Sequence, residues 1–430
     1  MKRRTLLASS ATVIATAALA ACGGGGGGGD PGSSAATADA MLAASIRSDT
    51  RLAAVRAKAK QLVAKDFTAG SGYPAVFIRD LNTFVELAIE AQGAARVRAQ
   101  LLLFLQHQGA DGNIPDGIDG AGNTFKGTVE SDQETSLVQA FARYVAITGD
   151  KAVLNESVGG VPVIVRLGNA LLFLYAQRWS AKHGLVWGGT RADWGDVQPE
   201  DVPGTHLSAL SHPAVSIYDN AMLKVALADL QALESAAGRD AAAWATRERD
   251  LRAAVRTHLW TGTQFIPHLY LDKGSPFPAD FDESRIYYQG GTAVAIQAGI
   301  LEPAEVQQAF ARMQKNKLDS GSGSIGVSLY PPYPAGFFAN KEYMGAEYYY
   351  QNGGDWPWFG ARIVQQMVAY GQVQTAYAEL GPMLDRVLRD DGFYEWYTRD
   401  GAGRGSAEYR GTAGRVAAAI DALTAWAAGR

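Results

Sequence analysis

Five stretches of the chain gather carboxylates, aromatic rings and glycines more densely than an ordinary turn requires. The first is Val76-Phe77-Ile78-Arg79-Asp80. An arginine beside an aspartate at a helix start can hold hydroxyl groups from both sides, one residue donating and the other accepting. The same aspartate can simply complement a helix dipole. The second stretch is Asn113–Gly117 followed by Val129-Glu130-Ser131-Asp132-Gln133-Glu134-Thr135, with three acids in five residues ahead of an apolar segment. Helix capping explains one of the three acids and not all of them. In the third, Trp187–Val197, Asp193 and Asp196 flank Trp194. A general acid must keep its proton near neutral pH, and a neighbouring carboxylate or an apolar ring raises a pKa toward that range. An acidic surface turn is the competing reading. The fourth, Gly345–Trp358, holds Gln351, Asn352, Trp356 and Trp358 among three consecutive tyrosines. It suits either a sugar subsite or an aromatic loop packed over one end of the fold. In the fifth, Asp391–Tyr397 and then Gly405–Gly414, Glu395 sits among four aromatics. There a carboxylate is either a satisfied structural group or a catalytic one.

These stretches fall between long Ala/Leu/Val/Arg-rich segments whose apolar residues recur at three and four, the mark of helices with a buried face. The spacing predicts helices over Arg79–Gln92, Ala94–Gln108, Glu134–Thr148, Pro162–Arg178, Ser216–Ala237, Arg239–His258, Gly291–Ala298, Pro303–Gln314, Phe359–Tyr370, Val373–Leu388 and Gly411–Ala428. Leu101–Leu105 is apolar nearly all round and reads as an inner helix; Gln264–Leu271 and Asp391–Tyr397 are the few strand or loop candidates. About a dozen helices without a low-complexity break imply one all-α domain over residues 38–430. Six helical hairpins closing into a double ring, an (α/α)6 barrel, fit best. A solenoid is disfavoured because no fixed-period repeat appears.

The chain has 430 residues, a formal net charge of −4 and no basic block, so neither nucleic acid nor an anionic membrane surface is expected as partner. Its six histidines are scattered without ligand spacing, and no metal or other cofactor is expected. Lys2-Arg3-Arg4, an apolar run from Thr5 to Ala18 and Leu19-Ala20-Ala21-Cys22 read as an export signal over residues 1–21. The last four residues resemble the lipobox of bacterial lipoproteins, which implies lipidation at Cys22 and anchoring on the periplasmic side of the envelope. Residues 22–37, with seven consecutive glycines, read as a flexible tether. The membrane is then met only through the lipid, and a monomer is expected.

In order, the five loops resemble those of the six-hairpin glycosidases, above all the neutral/alkaline invertases, over about Val76 to Ile420. Val76–Asp80 resembles their Val-Phe-Val-Arg-Asp. Asp132 with Arg143-Tyr144 and Thr148-Gly149-Asp150 resembles their Val-Asp-Ser…Tyr…Thr-Gly-Asp. Trp194-Gly195-Asp196 falls where they carry Met-Ile-Asp, where the glucosidase part of glycogen debranching enzymes carries Trp-Met-Asp, and, with Asp193, where cellobiose-type phosphorylases carry Asp-Trp-Asn-Asp. Tyr350–Pro357 resembles Tyr-x-Asn-Gly-Gly-x-Trp-Pro, and Asp391–Tyr397 resembles Asp-Gly-Trp-Pro-Glu-Tyr-Tyr. The resemblance implies an inverting glycoside hydrolase with Asp196 as general acid and Glu395 as general base. It places Arg79, Asp80, Asp132, Asp193, Trp194, Gln351, Asn352, Trp356 and Trp358 around the sugar, with Asp193 and Glu408 as substitutes for acid and base. Val197-Gln198 stand where invertases carry two arginines, so sucrose is not the expected substrate. A phosphorylase on the same fold, a polysaccharide lyase or unsaturated-uronide hydrolase, and a glycan-binding lipoprotein without activity are the other readings. The acidic loops argue against the lyase, and the presence of both carboxylates argues against the binding protein.

Overall fold

The computed structural model describes residues 31–430, with side chains from Thr37 on. The periodic segments fold as helices, and their ends follow local chemistry. Asp49 and Ser216 accept from backbone N–H groups at the starts of their helices, Glu302 and Glu305 form a capping box around Pro303, and Gly149 and Gly321 end helices in the left-handed region.

In chain order the helices are α1 (Pro31–Ser48), α2 (Thr50–Val63), α3 (Ile78–Gln92), α4 (Ala94–Gln106), α5 (Gln133–Thr148), α6 (Val163–Gln177), α7 (Ile217–Ala236), α8 (Ala242–His258), α9 (Gln289–Gln297), α10 (Pro303–Ser320), the short α11 (Lys341–Met344), α12 (Pro357–Ala369), α13 (Val373–Asp390) and α14 (Arg410–Ala428). Neighbour packing runs α3, α5, α7, α9, α12, α14 and back to α3, which closes an inner ring of six. Helices α2, α4, α6, α8, α10 and α13 pack outside it, and α1 lies against α14. The chain is therefore the all-α (α/α)6 barrel expected from its periodicity. Five of the six inner helices, all but α9, are entered from a loaded loop, so all five loops meet at one end of the barrel. The strands among the described residues are two or three residues long and most brace the connections at this end, as where Trp396–Tyr397 pairs antiparallel with Gly403–Arg404.

Three local expectations need correction. Helix α4, with Leu101–Leu105, belongs to the outer ring. Its apolar circumference is used because it wedges between α3 and α5 with Ser157–Val158 against it. Pro162 stands one residue before α6, as its N-cap rather than in its first turn. Helix α1 begins at Pro31, inside the segment read as tether to Thr37, since Ser33–Ala40 is a helix-compatible Ala-rich run behind a proline at the first position. Cys22 and the export signal lie outside the described residues.

Candidate active site

The loop end of the barrel carries a cleft of about 430 Å³ lined by Tyr73, Tyr343, Tyr349, Tyr350, Trp396 and Glu395, with Ser71, Gly72, Arg404, Gly405 and Ser406 completing the wall. Glu395 is 5% exposed. Its Oε2 accepts from the Tyr73 hydroxyl at 2.9 Å and from the Ser406 amide at 3.2 Å, while no donor among the described residues reaches Oε1. Burial pushes its carboxyl up to about 7; the bonds from Tyr73 and Ser406 oppose this, and repulsion from Asp80 and Asp196 adds to it. Gly405, at φ +66°, must be a glycine, because a Cβ there would fall 2.3 Å from Glu395 Oε2.

Asp196 belongs to the same group of charges. Its Oδ1 accepts from Gln351 Nε2 at 2.9 Å, and its Oδ2 lies 3.4 Å from Arg79 Nη2. The side chain is 27% exposed, against 1% for Asp132, which faces the same guanidinium at 3.8 Å. The Asp132 carboxylate also accepts from the Tyr218 hydroxyl at 2.8 Å. Burial opposes the Arg79 charge, but the carboxylates of Asp132 and Asp196 outweigh it and hold the guanidinium protonated. Asp80, the neighbour of Arg79, accepts from the Tyr409 hydroxyl at 2.6 Å, and burial raises its pKa against the pull of Arg79. A carboxylate clamped by one arginine and one amide, near a second carboxyl of high proton affinity, is an arrangement for moving protons in opposite directions at two points of one ligand.

The other expected site residues are placed differently. Asp193, in the left-handed region at φ 52°, turns its carboxylate away from the cleft to the start of α9 and accepts from the Gly290 and Gly291 amides at 2.7 and 2.9 Å. It is fully buried, with its pKa pushed by that burial up to about 8 against those two bonds. It is a helix cap, not an acid facing a ligand. Asp193→Ala should lower stability by about 2–3 kcal/mol, because two buried amides lose their acceptor, while Asp193→Asn keeps one acceptor oxygen and retains most of it. Urea denaturation measures both; equal midpoints for wild type and Asp193→Ala would refute the cap.

Trp194, Trp356 and Trp358 are each 2% exposed and form a buried layer beneath the cleft rather than a platform inside it. Trp194 stacks on Phe359 and meets Trp356 and Trp358 edge-on. Asn352 is buried and ties its own loop to Tyr333 through bonds of 2.8 and 2.9 Å. Gln351, also buried, braces Asp196. Gly195 permits that contact, since a Cβ there would meet Gln351 Oε1 at 2.6 Å. Glu408 points outward to an ion pair with Lys65, away from the cleft. The rings that do line the cleft are four tyrosines and Trp396. Tyr73 was not among the expected residues, although it stands as a lone aromatic in the turn Gly70-Ser71-Gly72-Tyr73-Pro74, three residues before the Val76–Asp80 motif. Among the described residues no group of His, Cys, Asp and Glu is arranged to hold a metal, and no helix is long and apolar enough to cross a membrane.

The chain matches no model of a known protein family and no curated protein. Its fold is shared with solved structures. An uncharacterized conserved protein from Thermus thermophilus superposes with a TM-score of 0.64 at 15% identity, over 84% of this chain and 98% of that one. The GH63 mannosylglycerate hydrolase of the same organism, in complex with glucose, gives 0.62 at 16% identity, over 85% and 99%. A rhamnosidase from Klebsiella oxytoca with rhamnose bound gives 0.59 at 14% identity, over 86% of this chain and 63% of that one. At such identities the common property is architecture: this chain has the same helical-barrel fold as these proteins, along nearly the full length of the Thermus ones.

Proposed function

We propose that the protein is an inverting glycoside hydrolase acting on an oligosaccharide or an α-glucoside, with Asp196 as general acid and Glu395 as general base. The reading rests on one observation above others. Glu395 presents a free Oε1 to a tyrosine-lined cleft at the same barrel end as Asp196, and the two carboxyls sense each other's charge. The mannosylglycerate hydrolase and rhamnosidase that share the fold support it.

In the proposed reaction, protonated Asp196 gives its proton to the glycosidic oxygen as the bond to the anomeric carbon breaks. Glu395 takes a proton from water as the water oxygen bonds to that carbon from the opposite face. Inversion then needs about 6.5–9.5 Å between the carboxyls, room for the water. A glutamate with proton affinity near neutrality is a better acceptor than an ordinary one. Once Asp196 has lost its proton, Arg79 and Gln351 stabilise the carboxylate left behind, and solvent resets both groups. Tyr73 fixes the Glu395 carboxylate, and the remaining cleft tyrosines offer faces for a sugar ring.

Proton NMR of the products released from a panel of disaccharides and aryl glycosides tests the proposal. Product released first in the inverted configuration, without phosphate, is the expected result. Retention would exclude the mechanism. Turnover only with phosphate would replace it by the phosphorylase, and binding without turnover by the glycan-binding reading. We also propose export and lipid anchoring at Cys22, which metabolic labelling with a fatty-acid probe in wild type and Cys22→Ala would test.

A further inference from the structure

The interior of the barrel beneath the site holds two arginines whose buried N–H groups find no acceptor among the described residues. Arg362 is the sixth residue of α12 and Arg415 the sixth of α14, two adjacent inner helices that both start at the loop end. At 1.5 Å per residue the two arginines leave their helices at the same depth, about 7–8 Å below the helix starts. They are 2% and 5% exposed. Both face the barrel axis, because Arg415 feels the charges of Arg362, of Arg143 on α5, of Glu86 on α3 and of Tyr218 on α7, helices that surround it. Among the described residues no acceptor reaches Nε or Nη1 of Arg362, or Nε or Nη2 of Arg415, although all four atoms are buried. The acids nearby have other partners, although Asp132 Oδ1 is itself without one. Glu86 pairs with Arg143 at 3.5 Å, Asp132 takes Tyr218 and Arg79, and Asp229 interacts with Arg143.

Two adjacent buried guanidiniums without acceptors are costly, since each unpaired buried charge loses its hydration with nothing in exchange. A fork of N–H groups from each side is also the donor set that a small anion requires. We propose that Arg362 and Arg415 together bind a small monovalent anion, chloride in solution, inside the barrel below the active site. The site is separate from the glycoside cleft and does not depend on the function proposed for it. The anion is a structural ligand that fixes the spacing of α12 and α14, the helices entered from the Gln351 and Glu395 loops. Burial lowers the pKa of both arginines, Arg362 to about 10, in keeping with guanidiniums that lack a counter-charge of their own.

The test uses the purified protein with bromide as the probe. Crystals soaked in sodium bromide should show an anomalous peak between the guanidinium groups of Arg362 and Arg415. The melting temperature should rise by about 3–6 °C in saturating sodium chloride relative to sodium gluconate of equal ionic strength. Arg415→Met should erase that difference, and Arg415→Lys should weaken it. No bromide at this position, or a chloride effect of equal size in wild type and Arg415→Met, would overturn the proposal in favour of water as the partner of these N–H groups. If neither variant folds, the bromide map of the wild-type protein decides alone.

Discussion

Glu395→Gln should lower kcat by about 10²–10⁴-fold on any glycoside that proves to be a substrate, with little change in the fold. Glutamine keeps the shape and can still accept from Tyr73 and the Ser406 amide, but it cannot take a proton from water. The wild-type pH profile carries the sign of the role. A base must be unprotonated, and the carboxyl of Glu395 is pushed up to about 7. The acid limb of the kcat/KM profile should therefore fall about tenfold per unit below that value. Tyr73→Phe removes a hydrogen bond that favours the charged form, so the descending limb should move to higher pH. An activity that instead falls as pH rises through 7 would make Glu395 the acid and exchange the roles of the two carboxyls. Full activity in Glu395→Gln would remove it from the mechanism.

Asp219→Ala should be among the most destabilising single substitutions in the chain. Arg191, in the loop that carries Asp196, and Asp219, on α7, form an ion pair of 2.5 Å with both side chains fully buried. Arg191 also donates to the Val129 carbonyl at 3.1 Å, which ties a third loop to the same point. Removing the carboxylate leaves a guanidinium in the interior without its counter-charge, at a cost of about 3–5 kcal/mol. Arg249 and Asp250 make a comparable contact at 72% and 63% exposure, where water screens it, and Asp250→Ala should cost less than about 1 kcal/mol. Urea unfolding of the two variants measures the contrast. Similar losses in both would mean that the interior pair has an alternative partner. Because the pair anchors the Asp196 loop, Asp219→Ala should also reduce turnover under conditions where it is still folded.

The helices were legible because a buried stripe leaves a period, and the predicted segments differ from the observed ones mostly by a few residues at their ends. Which ring a helix joins was not. Leu101–Leu105 looked internal, but the inner helices are the ones carrying Asn82, Gln139, Asp219, Arg362 and Arg415, since the barrel axis is lined partly by polar groups. Hydrophobicity thus misidentifies the inner layer of this architecture. In the site, the order of the loops along the chain was enough to direct attention to Asp196 and Glu395. A tryptophan beside a carboxylate reads the same whether its ring faces a cleft or the core, and Trp194, Trp356 and Trp358 turned out to face the core. Asp193 and Asp196, three residues apart, are separated only by a backbone reversal at Asp193, which one left-handed φ decides and composition does not announce.

The hydrogen bonds that hold Glu395 in place come from both extremes of the barrel. Tyr73 precedes the first inner helix and Ser406 the last. Around them Tyr409 reaches Asp80, Arg410 reaches Asp66 and Thr68, and Arg47 reaches the carbonyl of Ala427. The proposed base is thus assembled on the seam where the ring shuts. A chain without the helical pair α13–α14, however well its earlier hairpins have folded, cannot assemble the proposed site.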